Sequence, residues 1–215
     1  MGILLLGRIM KNKSLKNKIT LVLLGRSGCG KGTQAKFIAR RLRKEGVRHL
    51  ETGRFLRSFI KKNNVTAKVG RELMGQGKLF PSWLAAYTWL KELIERGHAN
   101  KHLVYDGAPR RIWEAELIDE VMRWHGRSLP ICIYIDVSPE VATKRLLGRG
   151  RKDDTYSKIR NRLKFFSKDV LPTINYYKKM GRLIHVDGRP TPDVIWHLLD
   201  RALSSTLGKR WPRGK

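Results

Sequence analysis

A short apolar run, Ile19 to Leu24, leads directly into Gly25-Arg26-Ser27-Gly28-Cys29-Gly30-Lys31-Gly32-Thr33, and Ala35, Ile38, Ala39 and Leu42 follow at i, i+3, i+4, i+7 spacing. This order predicts a buried strand, a glycine turn and an amphipathic helix that ends near Gly46. Glycines allow a tight turn with backbone N–H groups pointing inward, and the first helical turn has N–H groups without partners of their own. Lys31 adds a positive charge. Together they suit a polyphosphate. Such loops usually carry Ser or Thr directly after the lysine, whereas here Gly32 precedes Thr33.

Further apolar runs at Arg48 to Glu51, Leu103 to Asp106, Ile131 to Asp136 and Leu183 to Asp187 read as strands. Helical faces lie between them: Ala86, Leu90 and Leu93, stopping at Gly97; Ile118, Val121, Met122 and His125; and Ile159, Leu163, Phe166 and Val170, ending before Pro172. Ser138-Pro139 and Thr191-Pro192 each offer an N-cap followed by a proline at the first helical position. The alternation predicts a mostly parallel sheet covered by helices on both faces, with ligand sites beyond the carboxyl ends of the strands. Asp106 ends one strand and opens Asp106-Gly107-Ala108-Pro109-Arg110-Arg111. An acid there can hold Mg²⁺ opposite the glycine loop, and Arg110 can grip a second phosphate, although Asp-Gly is equally an ordinary turn.

Composition narrows the partners. The 215 residues include 46 Lys and Arg against 18 Asp and Glu, a formal charge of +28, so anions are the natural ligands. The 41% hydrophobic content excludes a fully disordered chain, and no apolar run approaches the roughly 20 residues that span a bilayer. Cys29 and Cys132 are expected as free thiols in a cytoplasmic protein without membrane partners. Residues 1–17 and 208–215 lack periodicity and read as basic tails. The C-terminal one carries Lys209-Arg210-Trp211-Pro212-Arg213, a composition that suits nonspecific contact with single-stranded nucleic acid.

Over roughly Lys18 to Leu203, the sequence resembles the adenylate kinase family of nucleoside monophosphate kinases. The likeness rests on Gly30-Lys31-Gly32-Thr33-Gln34, Thr52-Gly53-Arg54-Phe55-Leu56-Arg57, Gly77-Lys78-Leu79, Asp106 to Arg110, Arg151-Lys152-Asp153-Asp154 with Arg160-Asn161-Arg162-Leu163, and Val186-Asp187-Gly188. The glycine between lysine and threonine is itself a mark of that family. The resemblance implies a P-loop NTPase-type three-layer α/β fold with a five-stranded parallel sheet. Its kinase domain would cover 18–207, with a helical monophosphate-binding insert at about 53–80 and a short lid at about 148–154. It further implies transfer of the γ-phosphoryl group of ATP to AMP with Mg²⁺, by a monomer. The short lid leaves no room for a four-cysteine zinc site, so no structural zinc is expected.

Roles follow from position in the family pattern. Gly28, Cys29, Gly30, Lys31, Gly32, Thr33, Arg145, Arg149, Gly188 and Pro190 would bind ATP, with Arg145 stacked near the donor base. Thr52, Gly53, Arg57, Lys78, Leu79, Phe80, Gly107, Arg110, Glu114, Arg151 and Arg162 would bind the monophosphate. Lys31, Arg110, Arg149, Arg151 and Arg162 would carry catalysis, because several cations must converge on the transferring group. Thr33 and Asp106 would hold Mg²⁺, Asp106 through water.

Four positions depart from the pattern. Ser27 stands where Pro is frequent, Arg54 where Asp is frequent, and Ala108 where Phe is frequent. Glu114 stands where a glutamine reads the acceptor adenine. An ionised glutamate accepts hydrogen bonds and donates none, so the base preference is open between AMP and a UMP/CMP-type acceptor. The charge also leaves open a nucleic-acid-associated protein that has kept the kinase fold with reduced activity.

Overall fold

The computed structural model describes Leu15 and residues 17–95, 100–150 and 154–213. Its sheet has five strands, β1 (Thr20–Leu24), β2 (Val47–Glu51), β3 (His102–Asp106), β4 (Ile131–Asp136) and β5 (Leu183–Asp187), in the order β2-β3-β1-β4-β5. Every pairing is parallel. β1 and β3 are buried at all positions, as expected where both faces of a sheet are covered. The two-residue side-chain period divides β1 between two cores. Leu21 and Leu23 pack with Ile38, Leu199 and Leu203, whereas Val22 and Leu24 pack with Trp89, Tyr105, Ile118 and Tyr177. Burying each large apolar side chain contributes about 1.5–3 kcal/mol.

The covering helices are α1 (Lys31–Arg41), α2 (Thr52–Phe59), α3 (Val65–Gly75), α4 (Ser82–Glu95), α5 (Ile112–Trp124), α6 (Pro139–Arg149), α7 (Tyr156–Phe165), α8 (Leu171–Lys179) and α9 (Pro192–Leu207). Among the described residues, none is long and apolar enough to cross a membrane. Register brings the carboxyl ends level: Leu23 and Glu51 both pair with Asp106, and Asp136 pairs with Asp187. Loops leaving β1, β2 and β3 therefore converge on one edge.

Some sequence expectations change. Pro172 does not end a helix. The segment Phe166–Val170 widens into a π-turn, and α8 restarts with Pro172 in its first turn, where the missing N–H costs nothing. Ser138 caps α6 by accepting from Val141 N at 3.4 Å, while Thr191 occupies the cap position of α9 without a side-chain hydrogen bond. The C-terminal segment is a docked element through Arg213. Trp211 is 3% exposed, its Nε1 donates to Asp200 at 2.8 Å, and Arg41 donates to the Pro212 carbonyl at 3.1 Å. Its indole therefore belongs to the core and is closed to a stacking base. Cys29 and Cys132 are free and buried. Nearly all of the expected N-terminal tail, and Gly97, lie outside the described residues.

Candidate active site

The loop after β1 is shaped by close backbone contact. Gly28 has φ of +87°, and a Cβ there would lie 2.7 Å from the Ala142 carbonyl oxygen of α6. Gly30, at φ 103°, leads into α1, whose first turn carries Lys31, Gly32 and Thr33. Lys31 Nζ donates to the carbonyls of Gly25 and Arg26, both at 2.8 Å, and lies 3.5 Å from Cys29 Sγ. The lysine thus sits over the mouth of the loop.

Asp106 lies against the same first turn. A Cβ on Gly32 would be 3.6 Å from Asp106 Oδ2, and His49 Nε2 of β2 is 3.8 Å from that oxygen. Lysine, helix start and carboxylate therefore share one edge of the sheet.

Gly188 packs directly on β4. A Cβ there would meet Ile135 and Val137 at 2.7 Å, so only glycine lets the loop after β5 lie on β4. Arg145 Nη1 and Nη2 donate to the carbonyls of Gly188 and Arg189 at 2.8 and 3.0 Å, which ties α6 to the loop that contains Pro190. The guanidinium edge is spent on backbone oxygens.

Across the sheet edge, Thr52 heads α2 and is fully buried. Its hydroxyl has no hydrogen-bond partner among the described residues. A Cβ on Gly107 would lie 3.9 Å from Thr52 Cβ, so these two backbones are adjacent. Arg110 Nε donates to the Gly107 carbonyl at 3.2 Å, and Arg110 N donates to Glu114 Oε2 at 3.2 Å. Burial pulls the Arg110 pKa down, against the opposing charges of Glu114, Asp106 and Asp169. Glu114 is 1% exposed, and burial raises its pKa, against hydrogen bonds from Arg110 N and the Ser82 side chain. Arg57 Nη2 donates to Glu51 Oε1 at 2.9 Å, and its Nη1 lies 3.0 Å from a Cβ placed on Gly53. Lys78 is exposed and Leu79 half-buried, while Phe80 packs on Gly70 of α3.

Arg149 and Arg162 come together on Asp154. Arg149 Nε and Nη2 donate to its two oxygens at 2.8 Å, and Arg162 Nη2 donates to Oδ1 at 2.9 Å. Burial alone would raise the Asp154 pKa, but the two arginines outweigh it and hold the carboxyl below its usual range. Arg151 lies outside the described residues. α7 also touches the helices between β2 and β3, since Asn161 Nδ2 donates to the Gln76 carbonyl at 3.1 Å.

Sequence reasoning missed two of these partners. Asp154 was visible only as part of a charged motif, and nothing in its spacing marked it as the shared anchor of two arginines. Glu51 gave no signal beyond closing a strand. Arg26 was read as loop, yet its guanidinium lies 4.1 Å from the Phe166 ring and donates to the Val137 carbonyl at 2.9 Å.

A glycine loop at a helix start, a carboxylate beside it, and partly buried arginines on neighbouring elements suit a phosphotransferase that acts on nucleoside monophosphates. Comparison with known proteins agrees: the adenylate kinase family profile matches residues 23–182. The chain belongs to the adenylate kinase family. It is 38% identical over 175 residues to an adenylate kinase of Corynebacterium urealyticum, covering 81% of this chain and 93% of that protein. It is 32% identical over 185 residues to adenylate kinase 1 of a Nostoc species, covering 86% and 98%. An adenylate kinase of Prochlorococcus marinus is 32% identical over 190 residues, covering 88% and 100%.

Proposed function

We propose that the chain transfers the γ-phosphoryl group of ATP to AMP, giving two ADP. The observation that carries the choice of AMP is the likeness to curated adenylate kinases over most of the chain. Glu114, buried in the first turn of α5, has carboxyl oxygens that can accept from an exocyclic amine such as that of adenine. The unpartnered, buried Thr52 hydroxyl supplies a further polar group beside Gly107 for a ligand to satisfy.

On this reading, the insert at about 53–80 and the lid at about 148–154 flank the cleft. Lys31 and the N–H groups of Gly28 to Thr33 hold the donor phosphates, and Arg57 and Arg110 grip the acceptor phosphate. Arg149 and Arg162, fixed by Asp154, place positive charge at the transferring group, with Arg151 beside them. Catalysis then consists of aligning two nucleotides and offsetting charge on the equatorial oxygens while water is kept out. Asp106 and Thr33 would hold Mg²⁺. A single carboxylate and a hydroxyl suit an ion that keeps most of its waters. When bound, it neutralises charge on the donor phosphates. Arg54 is exposed beside the acceptor side, and its added charge favours any monophosphate alike.

A coupled assay with AMP, CMP, UMP and GMP tests the assignment. The highest kcat/KM is expected with AMP. A higher value with CMP or UMP would overturn the choice of acceptor while leaving the phosphotransferase class in place.

A further inference from the structure

The nucleotide site occupies the carboxyl edge of the sheet, and the opposite edge has a chemistry of its own. α5 and α8 run side by side. Asp119 of α5 accepts from Tyr176 Oη of α8 at 2.8 Å and from both guanidinium arms of Arg182, just ahead of β5. Both helices therefore end together where the strands begin. α5 finishes on Arg123 and Trp124, and α8 finishes on Lys178 and Lys179, with Met180 next. Trp124 is 63% and Met180 55% exposed, and Arg123, Lys178 and Lys179 are exposed as well. The docked C-terminal segment adds Arg210, whose Nη1 donates to Ser128 Oγ at 3.1 Å in the loop after α5.

Acidic groups do little to cancel this charge. Asp119 is buried and taken by Arg182, and Asp200 is held by Arg41 and Trp211. Glu120, exposed one turn before Trp124, is the nearest exposed carboxylate along α5. Bases at helix C-termini gain from the helix dipole, which accounts for one or two cations per helix. It does not account for an indole left in water among them.

We propose that this face docks single-stranded nucleic acid, with Trp124 stacking on a base while Arg123, Lys178, Lys179 and Arg210 follow the phosphates. A flat ring among cations matches an unpaired base on a charged backbone. A duplex presents no free base face to the ring, and an acidic membrane would call for a broader apolar face than Trp124 and Met180 provide. The overall charge of +28 speeds encounter with any polyanion. Ten residues of helix, about 15 Å, separate Trp124 from Glu114, so docking leaves the kinase cleft open.

Fluorescence anisotropy of a labelled 15-nucleotide oligouridylate, titrated with the full chain at several salt concentrations, tests this. Trp124→Ala is expected to weaken binding at least fivefold, as loss of a base–aromatic stack does. The triple change Arg123→Gln, Lys178→Gln, Lys179→Gln should reduce the slope of log affinity against log salt by about two, at roughly 0.7 per phosphate contact on a single strand. AMP turnover and thermal melting should stay close to the parent in both variants, and saturating ATP with AMP should leave oligonucleotide binding in place. The proposal is overturned if the parent does not bind, if both variants bind like the parent, or if nucleotides displace the oligonucleotide. Binding to phosphatidylserine vesicles but not to the oligonucleotide would equally sink it.

Discussion

Asp154 and Arg149 form a two-pronged ion pair, with Nε and Nη2 of the arginine each 2.8 Å from a different oxygen of a carboxylate that is 1% exposed. The same carboxylate holds Arg162, so two like charges from separate helices stay close at the expense of one acid. Asp154→Asn removes the charge that reconciles them. It is expected to lower stability by about 2 kcal/mol, less than for a fully buried pair because Arg149 is about a third exposed. Turnover should fall at least tenfold as the arginines separate. The folded pKa is depressed, so the stabilisation is complete above the unfolded value of about 3.9 and is lost as pH falls through the lower folded value. Denaturant melts of parent and variant should differ at pH 6 and converge in strong acid.

Lys31 donates to two carbonyls of its own loop at 2.8 Å and lies 3.5 Å from Cys29 Sγ in the same loop. Lys31→Met should therefore reduce turnover about a hundredfold or more while moving the melting temperature by only a few degrees. Steady-state kinetics beside calorimetry separate the two effects, and undiminished turnover would remove the lysine from the phosphate site.

Glu114→Gln tests the acceptor side through stability as well as specificity. Because burial raises the folded pKa, the folded protein holds its proton more tightly than the unfolded chain. The resulting cost is absent below the unfolded value of about 4.3, grows as pH rises and is complete above the folded value. The glutamine variant should match the parent near pH 4 and melt higher at neutral pH. Its preference should also shift further toward AMP over CMP, since an amide offers adenine N1 a donor that an ionised carboxylate lacks. An unaltered acceptor ranking would show that this side chain does not face the base.

Much of this architecture was legible from residue order. β1, β3 and β4 were readable because buried parallel strands are near-continuous apolar runs, and Ile131 to Asp136 and Leu183 to Asp187 match to the residue. Of the helices between β2 and β3, α4 was readable from Ala86, Leu90 and Leu93, whereas α2 and α3 were legible only through resemblance. On α3, Val65 is 80% and Val69 49% exposed, so its apolar residues do not report a core face. Motif spacing located Asp106 and Arg110, but the anchoring acids Glu51 and Asp154 depend on contacts between elements. A run of charges does not reveal which of its members is buried. The C-terminal segment misled for a related reason: its bases read as a solvated tail, while one tryptophan decides its fate.

Trp211→Ala should accordingly cost about 3 kcal/mol, the penalty for emptying a buried aromatic site. The ring packs 6.5 Å from Trp196 and leaves Asp200 without its indole donor when removed. A melting temperature unchanged by this substitution would return the segment to the status of a tail.

The widened turn at Phe166–Val170 also sets an angular offset. Along a regular helix each residue advances by about 100°, so the turn fixes how the face bearing Arg162 is rotated relative to the face that seats Tyr177 in the core. Loss of one residue there would straighten the rod and swing Arg162 away from Asp154 while every side chain at the cleft stayed chemically intact. Length in this short stretch is therefore a steering element, and related chains that differ by one residue within it should aim their arginines differently.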